Sequence, residues 1–175
     1  MPLDVDPVRV IGRWVKHAYA GSHPLPRRDP PPDSRWQRGD EVDALYLADE
    51  EATAWAEWYR HLAEHGLPPA AQMPRDLWQW KVHAEVADLC DQARLARVGL
   101  GLPRPGRRGW PPYQQVGETL AEEGWPGLRA PSAARPGHLV LCLFRAADGT
   151  VPGARPDGSP RRVDEPPAPP TGMTT

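Results

Sequence analysis

Few positions in this chain combine a reactive residue type with a neighbourhood that would put it to use. Arg35 sits in Ser34-Arg35-Trp36-Gln37-Arg38-Gly39, just ahead of an apolar segment that carries Tyr46. Glu57 follows on a stretch of helical periodicity, sharing a stripe with Ala54, Trp58 and His61. A carboxylate on such a half-apolar stripe could line a cleft instead of facing solvent. Ser132 lies in Ala130-Pro131-Ser132-Ala133, ahead of the last apolar run. Taken singly, the four read equally well as a surface arginine, a core tyrosine, a surface glutamate and a turn serine.

Other candidates carry less. His61 and His65 are a helical turn apart and could share a metal. The string between them is Leu62-Ala63-Glu64, which puts the acid in the wrong place for the metalloprotease pattern, so two exposed histidines are expected. No P-loop, dinucleotide-type glycine fingerprint or G-x-S-x-G turn occurs, and Gly99-Leu100-Gly101 stands alone. Arg104, Arg107 and Arg108 make a basic loop, read first as solvated and second as a phosphate or partner contact.

The elements that must position these residues are legible in outline. Residues 8–19 are apolar enough for a strand, and the five prolines of 24–33 enforce an irregular loop. Residues 42–48 read as a short buried strand followed by Asp49 as an N-cap. The helix predicted over 50–65 places Ala52, Trp55, Ala56, Tyr59, Leu62 and Ala63 on its main apolar face and ends at Gly66. Residues 77–86 alternate as a half-buried strand, with Trp78, Trp80, Val82, Ala84 and Val86 on one side. Residues 99–112 form a Gly/Pro/Arg loop, 113–123 a second helix, and 139–144 a central strand. Seven prolines in 151–175 predict a disordered tail. The expected organisation is an α+β domain over residues 1–147 and a proline-rich tail over 148–175.

Composition narrows the function classes. A formal charge of −2 gives no electrostatic case for direct nucleic-acid binding. No apolar run approaches the ~20 residues of a membrane span, and the acidic start of the chain is unlike a signal peptide. Cys90 and Cys142, each beside an apolar stretch, are expected as two buried free thiols in a reducing, cytoplasmic setting.

The motifs in order are R-W-x-x-G from Arg35, L-Y-L-A around Tyr46, and A-x-E ending at Glu57. A Q-x-x-G helix follows, from Gln114 or Gln115 to Gly117, and then G-W-P-G-L-R-A-P-S-A leading into a closing apolar strand. This pattern resembles the RES family of bacterial proteins, named for its arginine, glutamate and serine, over residues 14–144. The resemblance implies an ADP-ribosyltransferase-like fold with a mixed β core flanked by helices. It also implies a toxin that depletes NAD⁺ by phosphorolysis or hydrolysis and is held inactive by an Xre-type helix-turn-helix antitoxin.

Carried over by position, Glu57 and Arg35 become catalytic, and Tyr46 and Ser132 bind substrate. Cleavage of the nicotinamide–ribose bond builds an oxocarbenium-like sugar, which a carboxylate at Glu57 would stabilise. Arg35 would hold a phosphate through its planar fork. Tyr46 would stack on nicotinamide, and Ser132 would hydrogen-bond ribose or amide. No cofactor or metal is implied; NAD⁺ is the substrate, with inorganic phosphate the co-substrate of phosphorolysis. One departure concerns an arginine many relatives carry at the end of the first strand, where this chain offers Lys16 or His17. Two other readings keep the same site: transfer of ADP-ribose to a protein side chain, and a RES-like module without turnover that only binds.

Overall fold

The computed structural model describes residues 1–174. The elements are β1 (Asp6–Tyr19), β2 (Ala44–Ala48), α1 (Glu51–His65), β3 (Arg75–Asp88), α2 (Gln92–Arg97), α3 (Trp110–Glu122), β4 (Gly127–Pro131), β5 (Leu139–Phe144), β6 (Ala154–Pro156) and β7 (Arg161–Val163). The class is mixed α+β, as the sequence predicts. The two longest strands, β1 and β3, pair antiparallel along their whole length, from Asp6↔Asp88 to Tyr19↔Arg75. β1 also meets β2 at Val15↔Ala48, β2 pairs β5, β5 pairs β4, and β4 returns to β3 as a parallel neighbour. Five strands thus close into a barrel-like ring.

Two-residue periodicity explains what fills it. Val10 and Trp14 of β1, Leu45 and Leu47 of β2, Trp80 to Val86 of β3 at alternate positions, and Leu141 and Leu143 of β5 form one buried cluster. The apolar run of β5 is continuous because its other face is buried as well. Cys142 and Phe144 pack with Leu128 and Ala130 of β4 against Tyr113, Val116 and Leu120 of α3. A third cluster seats Ala54, Trp55, Trp58 and Leu62 of α1 on Val15, Ala48 and Leu77.

Three expectations are corrected. The N-cap of α1 is Glu50, not Asp49. Asp49 instead accepts the Leu139 amide at 2.9 Å and faces His138, tying β2 to β5. The tail predicted to be disordered is ordered over the described residues, and the domain does not end at residue 147. β3 gives its second edge in turn to β7, β6 and β4, so the tail strands cover an edge that β4 is too short to fill. Val151 is buried with the barrel interior. Pairing with β3 supplies the order that a proline-rich composition could not. Third, the cysteines are both free, but only Cys142 is buried; Cys90 is half-buried.

Candidate functional site

One cavity of about 310 Å³ opens where the C-terminal end of β1, the Arg35 turn, β2 and α1 converge. Its wall includes Lys16, His17, Arg35, Tyr46 and Glu57. Ser132 lies immediately behind that wall, between the lining residues Pro131 and Ala133. The structure therefore brings together all six residues singled out from the sequence. The second stripe of α1 faces the same space, with Ala54, Glu57, Trp58 and His61 all lining it.

Glu57 is held from two sides. Ser132 Oγ donates to Glu57 Oε1 at 2.6 Å, and the Ala134 amide reaches the same oxygen at 3.3 Å. Arg60 Nε donates to Oε2 at 3.1 Å while its Nη1 pairs with Glu64 at 2.6 Å. Arg60 was not singled out from the sequence; its i,i+3 spacing from Glu57 was the available signal. The carboxylate remains one-quarter exposed at the cavity wall.

Arg35 is buried at 7% exposure. Its Nη2 donates to the Arg104 carbonyl at 2.7 Å, whereas Nη1 is buried with no partner among the described residues. Burial, and then the neighbouring Arg60, push its pKa down from the usual guanidinium range. An unpaired donor on a desolvated cation costs free energy unless a ligand oxygen meets it. The Gly106 amide donates to Glu64 at 2.8 Å, so Arg35 and Glu64 together hold the 99–109 loop beside the cavity.

The Arg35 turn is built by its neighbours. The Tyr46 hydroxyl bonds Ser34 and Gln37 and accepts the Trp36 amide at 3.2 Å. Burial raises the Tyr46 pKa well above the phenol range, so the group stays neutral. Its ring lines the cavity while its hydroxyl is occupied in fixing the turn. From the other side, Gln114 Nε2 donates to the Ser34 carbonyl at 2.8 Å. A Cβ at Gly117 would stand 1.8 Å from the Trp36 carbonyl oxygen. The Q-x-x-G motif is thus Gln114 and Gly117, the face by which α3 docks on the Arg35 turn.

Lys16 and His17 separate in role. His17 stacks on Trp55 with centroids 4.2 Å apart, accepts from Arg75 Nε at 2.7 Å on Nδ1, and meets the Ala54 carbonyl at 3.3 Å through Nε2. Burial and then Arg75 lower its pKa to about 3, so the ring is neutral and both nitrogens are engaged internally. Lys16 has no carboxylate partner among the described residues. Burial, then Arg75, Arg28 and Arg145, lower its pKa to about 8. Lys16 is therefore the first-strand cation available to an anionic ligand.

His61 and His65 are both exposed on α1, with ring centroids 4.3 Å apart. No group of three potential metal ligands occurs among the described residues, and no helix among them is long and apolar enough to cross a membrane.

The family model described as RES domain matches residues 7–164. A curated relative from Mycobacterium tuberculosis, "Probable NAD(+) phosphorylase Rv3189", is 26% identical over 166 residues, covering 92% of this chain and 76% of its own length. The toxin–antitoxin complex MbcT–MbcA of M. tuberculosis contains a chain with the same fold. It superposes with a TM-score of 0.73 at 20% identity, covering 90% of this chain and 86% of that one.

Proposed function

The chain belongs to the RES-domain family, and from that premise we propose that it is an NAD⁺-consuming toxin that cleaves the nicotinamide–ribose bond. One observation carries the reading: a carboxylate fixed by Ser132 and Arg60 shares a cavity with two cations, Arg35 and Lys16, that lack carboxylate partners. Glu57 faces the ribose and offsets the positive charge that develops as the C–N bond breaks. Arg35 and Lys16 take the phosphate oxygens, the buried Nη1 of Arg35 gaining the acceptor it lacks. The Tyr46 ring forms a stacking face for nicotinamide. The residues present need no metal for these roles.

With two cations at the wall, inorganic phosphate is the favoured acceptor and the product is an ADP-ribose 1-phosphate. The name of the curated relative supports this choice. The complex in which the structural relative is found supports control by an antitoxin, which we take to be of the Xre type. The test is incubation of the purified chain with NAD⁺, with and without phosphate, followed by product analysis. Nicotinamide together with ADP-ribose phosphate is the expected result. Free ADP-ribose at an unchanged rate would mean hydrolysis, and a modified protein would mean the ADP-ribosyl transfer expected of an ADP-ribosyltransferase-like fold. Intact NAD⁺ would leave a binding module and overturn the proposal.

A further inference from the structure

Residues 165–174 lie beyond the stretch matched by the family model, and none of them lines the cavity. They nevertheless bond to α1 and to the turn after Ser132, the elements that form its wall. The Tyr59 hydroxyl of α1 donates to the Pro167 carbonyl, and Arg135 Nε donates to the Thr171 carbonyl at 3.3 Å. Thr174 then closes on the turn after Ser132. Its Oγ1 donates to the Ala133 carbonyl at 3.1 Å and its amide to the Ala134 carbonyl at 2.7 Å.

The two peptide groups that receive Thr174 are the ones that hold the carboxylate. A peptide unit is planar, so fixing its carbonyl fixes its N–H. The Ala133 carbonyl shares a plane with the Ala134 N–H, which donates to Glu57 Oε1. The Ala134 carbonyl shares a plane with the Arg135 N–H, which donates to Ser132 Oγ at 3.0 Å, and that hydroxyl donates onward to Glu57. Each plane is gripped by Thr174 on one edge and by the Glu57–Ser132 pair on the other. Arg135 adds a bond to Glu50 and one to Thr53 at 3.2 Å, clamping the turn to the start of α1. Because the arm stays outside the cavity, it braces the wall and does not plug it.

We infer that the C-terminal arm, through Thr174, is a positioning element that fixes the 132–135 turn and thereby the orientation of Glu57 for catalysis. The inference rests on the NAD⁺-cleaving reading for its kinetic half. The experiment compares the full chain with a chain ending at Asp164, and with Thr174→Val and Thr174→Ser. Amide exchange and steady-state NAD⁺ cleavage are measured on each.

Exchange at Ala134 and Arg135 should quicken about tenfold in the shortened chain, while the amides of β5 keep their protection. The kcat should fall about tenfold with KM held within about twofold, the mark of a group misplaced for the reaction and not for binding. Thr174→Val should follow the shortened chain in part, and Thr174→Ser should restore the full-chain values. Unchanged exchange at the two amides overturns the inference, as does quicker exchange with unaltered kcat. Loss of protection throughout β5 would show a general structural role and overturn it too. If the full chain leaves NAD⁺ intact, the proposed function fails and the exchange rates alone decide whether the arm orders the turn.

Discussion

Ser132 Oγ donates to Glu57 Oε1 across 2.6 Å, joining a turn before β5 to the middle of α1. The same hydroxyl accepts the amides of Ala134 at 3.2 Å and Arg135 at 3.0 Å, so it organises the turn and orients the carboxylate at once. The serine expected to bind substrate thus has its hydrogen-bonding capacity filled within the protein. In the proposed cleavage its part runs through Glu57.

Ser132→Ala should therefore lower both stability and turnover. A hydrogen bond to a charged acceptor is worth about 1.5–3 kcal/mol, and the Arg135 amide also loses its acceptor. A melting temperature lowered by several degrees, with kcat reduced more than KM is raised, is the expected outcome. A kcat equal to wild type in the folded variant would show that Glu57 needs no such orientation.

Lys16 gives the site a pH dependence with a definite sign. Its pKa is lowered to about 8, so it is charged at pH 7 and loses that charge as the pH rises through 8. Anion binding at Lys16 should weaken over that range, the KM for phosphate rising by about tenfold per pH unit well above the pKa. Lys16→Arg keeps its charge throughout and should flatten the profile. A phosphate KM that is constant from pH 7 to 10 in the wild type would remove Lys16 from the site. Folding stability runs the opposite way: burial of this cation is a full cost below about pH 8, where folded and unfolded states both carry the charge, and it fades as pH rises from about 8 toward the ordinary lysine value of 10.5, where the folded state is already neutral.

Gly117 tests the docking of α3 on the Arg35 turn. Gly117→Ala places a methyl 1.8 Å from the Trp36 carbonyl oxygen, closer than any contact can be, so backbone must move. Overpacking of this kind costs about 1–3 kcal/mol, and here the displaced backbone is the one that presents Arg35. Substrate affinity should fall along with the melting temperature. Alanine at the nearby exposed Gly124 position, where φ is +85°, should lower stability alone. Equal effects of both variants on KM would argue against the coupling.

How much of this was legible in the sequence depends on where each residue's partner lies. Both ends of β5 are legible because a run buried on both faces has no polar interruption. α1 is legible to within one residue, and its second stripe faces the cavity, because helical periodicity fixes direction as well as extent. β4 is not legible: Gly127, Arg129 and Pro131 look like loop residues, and only pairing with β5 and β3 makes them a strand. The same holds for β6 and β7, three residues each, whose order comes from β3. The short α2 is marked by its Asp91 cap, but six residues carry too little periodicity to stand out. In the site, residue types and positions were visible, whereas the capture of His17 by Arg75 and of the Tyr46 hydroxyl by Ser34 and Gln37 were not. Those contacts join segments that only folding brings together.

The decisive prediction concerns Glu57→Gln. If NAD⁺ is cleaved through an oxocarbenium-like state, the negative charge matters far more in the transition state than in the bound substrate. The amide cannot reproduce every contact. With its oxygen toward Ser132 and the Ala134 amide, its NH₂ group faces the Arg60 guanidinium, which then relies on Glu64 alone. Some loss of stability is therefore expected, and NAD⁺ affinity must be measured beside turnover, for example by calorimetry. Binding should stay within a few-fold while kcat falls on the order of 10²–10³, equivalent to ~3–4 kcal/mol of electrostatic stabilisation. Arg35→Lys should do the reverse, weakening binding because a point charge replaces a fork. In cells, expression of the wild type without an antitoxin should deplete NAD⁺ and arrest growth, and the Glu57→Gln variant should do neither. Equal NAD⁺ loss from both proteins would exclude Glu57 as the group that opposes the developing cation, whatever else lines the cavity.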